Sequence, residues 1–164
     1  MKIIIIGFAA CYKTTVGKLL SQQLHCQFFD VDALVESTMQ QSVAEIFAEH
    51  GEQTFRKAET EILNSLCNVD GVVSCGGGSV LSPNFADFAK TGKVVWLKGN
   101  AEAIKSRLTC GTRPLFDNLT LSELQQKMVL REKLYAIFAD ICVDTCGKTS
   151  EQVAAEVKAL LMDT

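Results

Sequence analysis

Short apolar runs alternate along this chain with longer stretches in which apolar residues recur at helical spacing. The runs are KIIIIG at residues 2–7, CQFFDV at 26–31, GVVSC at 71–75, KVVWLK at 93–98 and DICVDT at 140–145. Runs this short, bounded by polar or turn residues, predict strands. The intervening patterns predict helices from about Thr14 to Leu24, through residues 33 to 67, between the third and fourth runs, between the fourth and fifth, and from about Thr149 to Leu161. Strand-helix alternation implies parallel strands joined by right-handed crossovers, an α/β architecture. A near-continuous run such as IIII suits a strand covered on both faces. Two helix starts are marked by Ser42-Val-Ala-Glu45 and Thr120-Leu-Ser-Glu123. Both fit the capping box, in which the two side chains satisfy otherwise orphan amides. One segment has no period: TCGTRPLFDN, residues 109–118. Irregular loops of that length within a compact domain tend to be lids.

Composition adds bounds. With 164 residues, 48% of them hydrophobic, and only two prolines, the chain has material for one packed core. No repeat, low-complexity segment or linker divides it, so residues 1–164 are expected to form a single domain. A formal charge of −3 without a basic run argues against a general affinity for nucleic acid or anionic membrane. The first apolar run is too short for a signal-peptide core or a bilayer span, so a soluble, cytoplasmic protein is expected. Seven cysteines (11, 26, 67, 75, 110, 142, 146) include no C-x-x-C pair. They are expected to be free thiols in a reducing compartment, mostly small core residues, and no metal site is expected of them.

Candidate chemistry begins at GFAACYKTT, residues 7–15. A loop of the form G-x-x-x-x-G-K-[ST] between strand and helix folds backbone amides around phosphate oxygens, with Lys at the terminal phosphates and a hydroxyl on Mg²⁺. Gly7, Lys13 and Thr14 fit that form, and Tyr12 does not. The bland alternative is a strand-to-helix turn with a solvated lysine. FFDVD places Asp30 and Asp32 at the end of the second strand, pointing to one side if the strand continues through both. Two carboxylates at the carboxyl ends of the strands can hold Mg²⁺ and accept a hydroxyl proton, or simply cap the next helix. Arg56 and Glu59 in TFRKAE lie three apart on a helix. They read either as a surface pair or, beside Phe55 and Phe47, as a guanidinium fork for a carboxylate against an apolar wall. SCGGGSV, residues 74–80, offers three glycines after a strand, a backbone that a polar ligand can approach closely. Arg113 in RPLF sits in the aperiodic loop, where it could reach over a phosphate. Arg131 in LREKLY lies on the following helix, either as a solvated charge or as a ligand.

In this order and at these spacings the pieces resemble shikimate kinase over nearly the whole chain. GFAACYKTTVGKLL resembles the family's phosphate loop and first helix, FFDVDALVE its paired aspartates, and SVAEIFAEHGEQTFRKAE its substrate-binding helices, which would lie at about 33–60. SCGGGSV resembles the triple-glycine motif, RPLF the lid at about 109–118, LREKLY the late substrate arginine, and VDTCGKTSEQV the adenine-side ending. The resemblance implies a three-layer α/β/α P-loop kinase fold with a five-stranded parallel sheet of order 2-3-1-4-5 and a short lid. It implies transfer of the ATP γ-phosphoryl to the 3-hydroxyl of shikimate, with Mg²⁺, in chorismate and aromatic amino-acid biosynthesis, by a monomer.

Carried over by position, Gly7, Ala9, Ala10, Cys11, Tyr12, Lys13, Thr14 and Thr15 would bind nucleotide, with Arg107 on the adenine side. Thr14 and Asp30 would serve the metal, and Lys13, Asp32 and Arg113 the chemistry. Asp32, Gly76, Gly77, Gly78, Arg56 and Arg131 would hold shikimate, with Phe47 and Phe55 near its ring and Glu59 orienting Arg56. The chain departs from the family loop, which resembles G-x-x-G-x-G-K-[ST], at Ala10 and Tyr12. If either position needs a left-handed backbone, a residue other than glycine costs about 1–2 kcal/mol there. Two other readings stand beside an active shikimate kinase: a non-catalytic relative that keeps the shikimate site but handles ATP poorly, and a kinase for another small hydroxy acid such as gluconate.

Overall fold

The computed structural model describes residues 1–108, 116 and 118–163. The five apolar runs become β1 (Lys2–Ile6), β2 (Phe28–Asp30), β3 (Gly71–Ser74), β4 (Lys93–Lys98) and β5 (Ile141–Asp144). They form one sheet of order β2-β3-β1-β4-β5, and every pairing is parallel. Central β1 explains its sequence: Ile3 to Ile6 are each at most 1% exposed, because both faces of the sheet are covered. The edges differ. In β2 the residues are half-buried, and in β5 Ile141 and Val143 face inward while Cys142 and Asp144 face out. An edge strand with one wetted face is why Cys142 is exposed. Cys26 is exposed as well, and of the six described cysteines only Cys11 and Cys75 are buried. The expectation of mostly core cysteines is thereby corrected, although those six are free thiols.

The helices are α1 (Lys13–Gln23), α2 (Val31–Met39), α3 (Val43–Ser65), α4 (Phe85–Ala89), α5 (Ala101–Arg107), α6 (Leu121–Phe138) and α7 (Ser150–Met162). Both expected capping boxes form, Ser42 with Glu45 and Thr120 with Glu123. A third, Thr149 with Gln152, starts α7. The stretch between β3 and β4 holds less helix than its pattern predicts: a 3₁₀ turn at Ser79–Leu81 and the five residues of α4. Helix α3 is broken at Gly51, whose backbone is non-helical (φ 83°, ψ 169°).

Two apolar clusters result. The larger lies around the sheet. A smaller one of Val35, Ile46 and Phe55, with Phe47 against it, joins α2 to α3. Among the described residues no helix is long and apolar enough to cross a membrane.

Candidate active site

Residues 7–12 run from the end of β1 to the start of α1, at the carboxyl end of the central strand. That is where open α/β sheets bind ligands. Gly7 has φ +149°, and a methyl group on it would lie 2.4 Å from the backbone oxygen of Leu97, so only glycine fits there. Lys13, the first residue of α1, turns back over the loop and donates from Nζ to the Phe8 carbonyl at 2.7 Å. Its side chain is buried. Thr14 donates from Oγ1 to Asp30 Oδ2 at 2.6 Å. A cavity of about 260 Å³ is lined by Ala10 to Thr15, Asp30, Asp32, Ser74, Cys75 and Arg107. Cys11 and Cys75 contribute inert thiols, since burial pushes both pKa values up.

The two aspartates meet in this cavity for a different reason than strand alternation. The strand ends at Asp30, which is the N-cap of α2, and Asp32 lies in the first turn of that helix. Asp30 does two things at once: Oδ1 accepts from the Ala33 amide at 3.1 Å and caps the helix, while Oδ2 takes the Thr14 hydroxyl. The capping alternative is thus realised, and it leaves the second oxygen facing the Thr14 hydroxyl.

The three glycines after β3 each abut a different group of the site. A methyl on Gly76 would lie 2.6 Å from Asp32 Oδ1 and 3.0 Å from Glu59 Oε2. On Gly77 it would lie 3.3 Å from the Ala9 amide nitrogen of the phosphate loop. On Gly78 it would lie 2.1 Å from Arg56 Nη2. None of the three has positive φ, so close approach rather than backbone freedom is what calls for glycine here.

Arg56 and Glu59 are not a surface pair. Glu59 is fully buried, and its two oxygens accept from Arg56 Nη1 at 3.0 Å and Ser79 Oγ at 2.7 Å. Burial pushes the Glu59 carboxyl up, opposed by Arg56 and by the Ser79 hydrogen bond. Arg56 also reaches Glu52 at 3.3 Å and lies over the Phe55 ring, 5.3 Å from its centroid. Phe55 in turn stacks on Phe47 at 5.1 Å, and little of its surface is open. From α6, Arg131 Nη1 donates to the Gly77 carbonyl at 2.5 Å.

Comparison with known proteins decides what this arrangement belongs to. The family model described as shikimate kinase matches residues 9–162. The shikimate kinase of Geobacter sulfurreducens is 41% identical over 165 residues, covering 98% of this chain and 91% of the relative. The chain belongs to the shikimate kinase family. Solved shikimate kinases share its fold. The one from Acinetobacter baumannii, in complex with shikimate, has a TM-score of 0.93 at 28% identity, with 99% of this chain and 93% of that one covered. The one from Aquifex aeolicus has a TM-score of 0.86 at 36% identity, with 99% and 96% covered.

The loop departs from the expected glycine pattern at Ala10 and Tyr12, and its backbone shows how these residues are accommodated. Ala10 and Tyr12 both adopt left-handed conformations, with φ 58° and 64°. Each therefore carries a strain of about 1–2 kcal/mol that glycine would not. The Tyr12 ring does not extend into solvent. It is half-buried and stacks on Arg107, whose Cζ lies 4.0 Å from the ring centroid. Arg107 is itself tied down by the Ala10 carbonyl at 3.1 Å and by the Thr145 hydroxyl and carbonyl, each at 3.3 Å.

A nucleotide that engages Arg107 must compete with the ring, and a cation–π contact of this kind is worth about 0.5–2 kcal/mol. Tyr12→Gly is therefore expected to lower the KM for ATP by up to about tenfold and to leave that for shikimate nearly unchanged. Steady-state kinetics with each substrate varied in turn checks this. A raised ATP KM would mean that the ring helps to hold nucleotide.

Three groups of the site have no signal in the local sequence: Ser79 beneath Glu59, Thr145 beneath Arg107, and Tyr135, which shares the Gly77 carbonyl with Arg131. Arg113 and most of the expected lid lie outside the described residues. Phe116, at its far end, packs its ring 4.9 Å from Phe8 of the phosphate loop.

Proposed function

We infer that this chain transfers the γ-phosphoryl group of ATP to the 3-hydroxyl of shikimate, giving shikimate 3-phosphate and ADP on the route to chorismate and the aromatic amino acids. The observation that carries this reading is the placement of the triple-glycine loop. Gly77 rests on the phosphate loop, Gly76 on Asp32, and the two guanidinium groups of Arg56 and Arg131 flank Gly78 and Gly77. One short backbone thus lies against both arginines and the phosphate loop, which supports a carboxylate clamp beside a phosphate site. An anionic, hydroxylated acceptor fits the space between them.

In this assignment the amides of residues 7–15 cradle the phosphates, Lys13 leaves the Phe8 carbonyl for the terminal phosphates, and Arg107 flanks the nucleotide. Asp32 hydrogen-bonds the shikimate hydroxyls and accepts the proton of the one that attacks. Arg56, oriented by Glu59, and Arg131 clamp the carboxylate. Gly76 to Gly78 offer backbone to the ring, Phe47 and Phe55 form the apolar side, and Arg113 in the lid compensates charge on the moving phosphoryl group. Little covalent chemistry is asked of the protein, so positioning and charge compensation supply the rate.

The Thr14 hydroxyl and the Asp30 carboxylate, 2.6 Å apart, are hard oxygen donors of the kind that suits Mg²⁺. Among the described residues no group of three or more His, Cys, Asp or Glu could hold a metal ion by itself. Mg²⁺ held at Thr14 and Asp30 would share its remaining positions with phosphate and water, neutralising phosphate charge. In this reading the protein acts as a monomer. Exposed free thiols at Cys26 and Cys142 suit the reducing cytoplasm.

A coupled ADP-release assay tests the reading. ADP should appear with ATP and shikimate, should stop when EDTA removes Mg²⁺, and should not appear with gluconate as acceptor. Shikimate binding without turnover would point instead to a non-catalytic relative.

A further inference from the structure

Helix α6 sends a second group to the carbonyl that Arg131 uses. One turn after Arg131, the Tyr135 hydroxyl donates to Gly77 O at 2.6 Å. The Tyr135 side chain is fully buried, and its ring leans on Trp96 of β4 with centroids 5.8 Å apart. A phenylalanine would fill that space equally well. A buried hydroxyl costs about 1–3 kcal/mol unless it is hydrogen-bonded, so what distinguishes Tyr135 is its bond to Gly77. A carbonyl oxygen has two lone pairs and accepts both donors. A methyl group on Gly77 would lie 3.3 Å from the Ala9 amide nitrogen, so the phosphate loop passes close to this residue.

We propose that Tyr135 is a positioning residue for shikimate: its hydroxyl fixes the Gly77 carbonyl as the point on which Arg131 docks, and so sets the guanidinium where the substrate carboxylate meets it. The inference rests on the reading above that Arg131 binds that carboxylate. Burial pushes the phenol well above its ordinary pKa, with Arg131 opposing, and Tyr135 therefore remains a donor throughout the neutral range.

Tyr135→Phe removes the hydroxyl and keeps the ring. The KM for shikimate should rise about five- to tenfold, the effect of one lost buried hydrogen bond, with the KM for ATP within about twofold of wild type. A merely structural loss would move both. The decisive measurement is a double-mutant cycle on shikimate KM with Arg131→Ala, in which general destabilisation cancels. If Tyr135 acts through Arg131, adding Tyr135→Phe to Arg131→Ala changes little further. Independent, multiplying effects would overturn the proposal, as would equal shifts in both KM values. An unchanged shikimate KM in Tyr135→Phe, with Arg131→Ala impaired, would overturn it while leaving the reading of Arg131 intact. Arg131→Ala without effect on shikimate would remove that reading and this inference together.

Discussion

Asp32→Asn should lower kcat for shikimate phosphorylation by about a thousandfold, within the range ascribed to a positioned general base, while ATP affinity changes by less than about threefold. The reason is in where Asp32 stands. It lines the cavity shared with Lys13, Thr14 and Arg107, and Gly76 leaves its Oδ1 uncovered by any side chain of that residue. The asparagine has the same shape and can still hydrogen-bond a hydroxyl, so shikimate should bind nearly as well. What it cannot do is take the proton. Asp30 is the comparison: its oxygens accept from the Thr14 hydroxyl and the Ala33 amide, and the proposed assignment gives it the metal and not the proton. Calorimetry for each ligand together with steady-state kinetics separates the cases. A kcat within tenfold of wild type would make Asp32 a binding group only.

How much of this was legible in the sequence differs from element to element. The five strands were, because a short apolar run with no helical period has few other ways to be buried, and β4 matches KVVWLK from end to end. The capping boxes at Ser42 and Thr120 were also legible, since both partners lie within four residues. The paired aspartates were found for an incomplete reason. Carrying the strand two residues too far, through Asp32, turned a helix N-cap into an apparent alternation. The left-handed backbone at Tyr12 was a question that the loop pattern could raise but not answer, and its stack on Arg107 joins residues 95 apart. Tyr135 and Ser79 were invisible for a related reason. Each meets its partner across 58 and 20 residues, respectively, and on its own looks like an ordinary helix or turn residue.

Gly78→Ala should raise the KM for shikimate by about a hundredfold, the scale on which an ångström of misplacement at a bound group is felt, with the KM for ATP little changed and the melting temperature lowered as the buried Glu59 loses its cation. The added methyl would fall 2.1 Å from Arg56 Nη2, 2.5 Å from Cζ and 2.6 Å from Nη1, inside the guanidinium itself. Something must move, and the guanidinium is the end of a flexible side chain, so it yields more easily than backbone would. That directs the cost to function. Displaced, Arg56 would give up its 3.0 Å bond to Glu59 Oε1, and the proposed carboxylate clamp would lose one of its two arms. The fold loses as well, because Glu59 is fully buried and would be left without its cation, although Gly78 itself does not have positive φ. Gly7 marks the contrast: the atom in the way there is the Leu97 carbonyl oxygen, held in β4, and strain at that position falls on the sheet. Kinetics with both substrates, read beside a thermal melt, distinguishes the two kinds of cost. Loss of stability with unchanged shikimate KM would show that Gly78 is needed by the turn and not by Arg56.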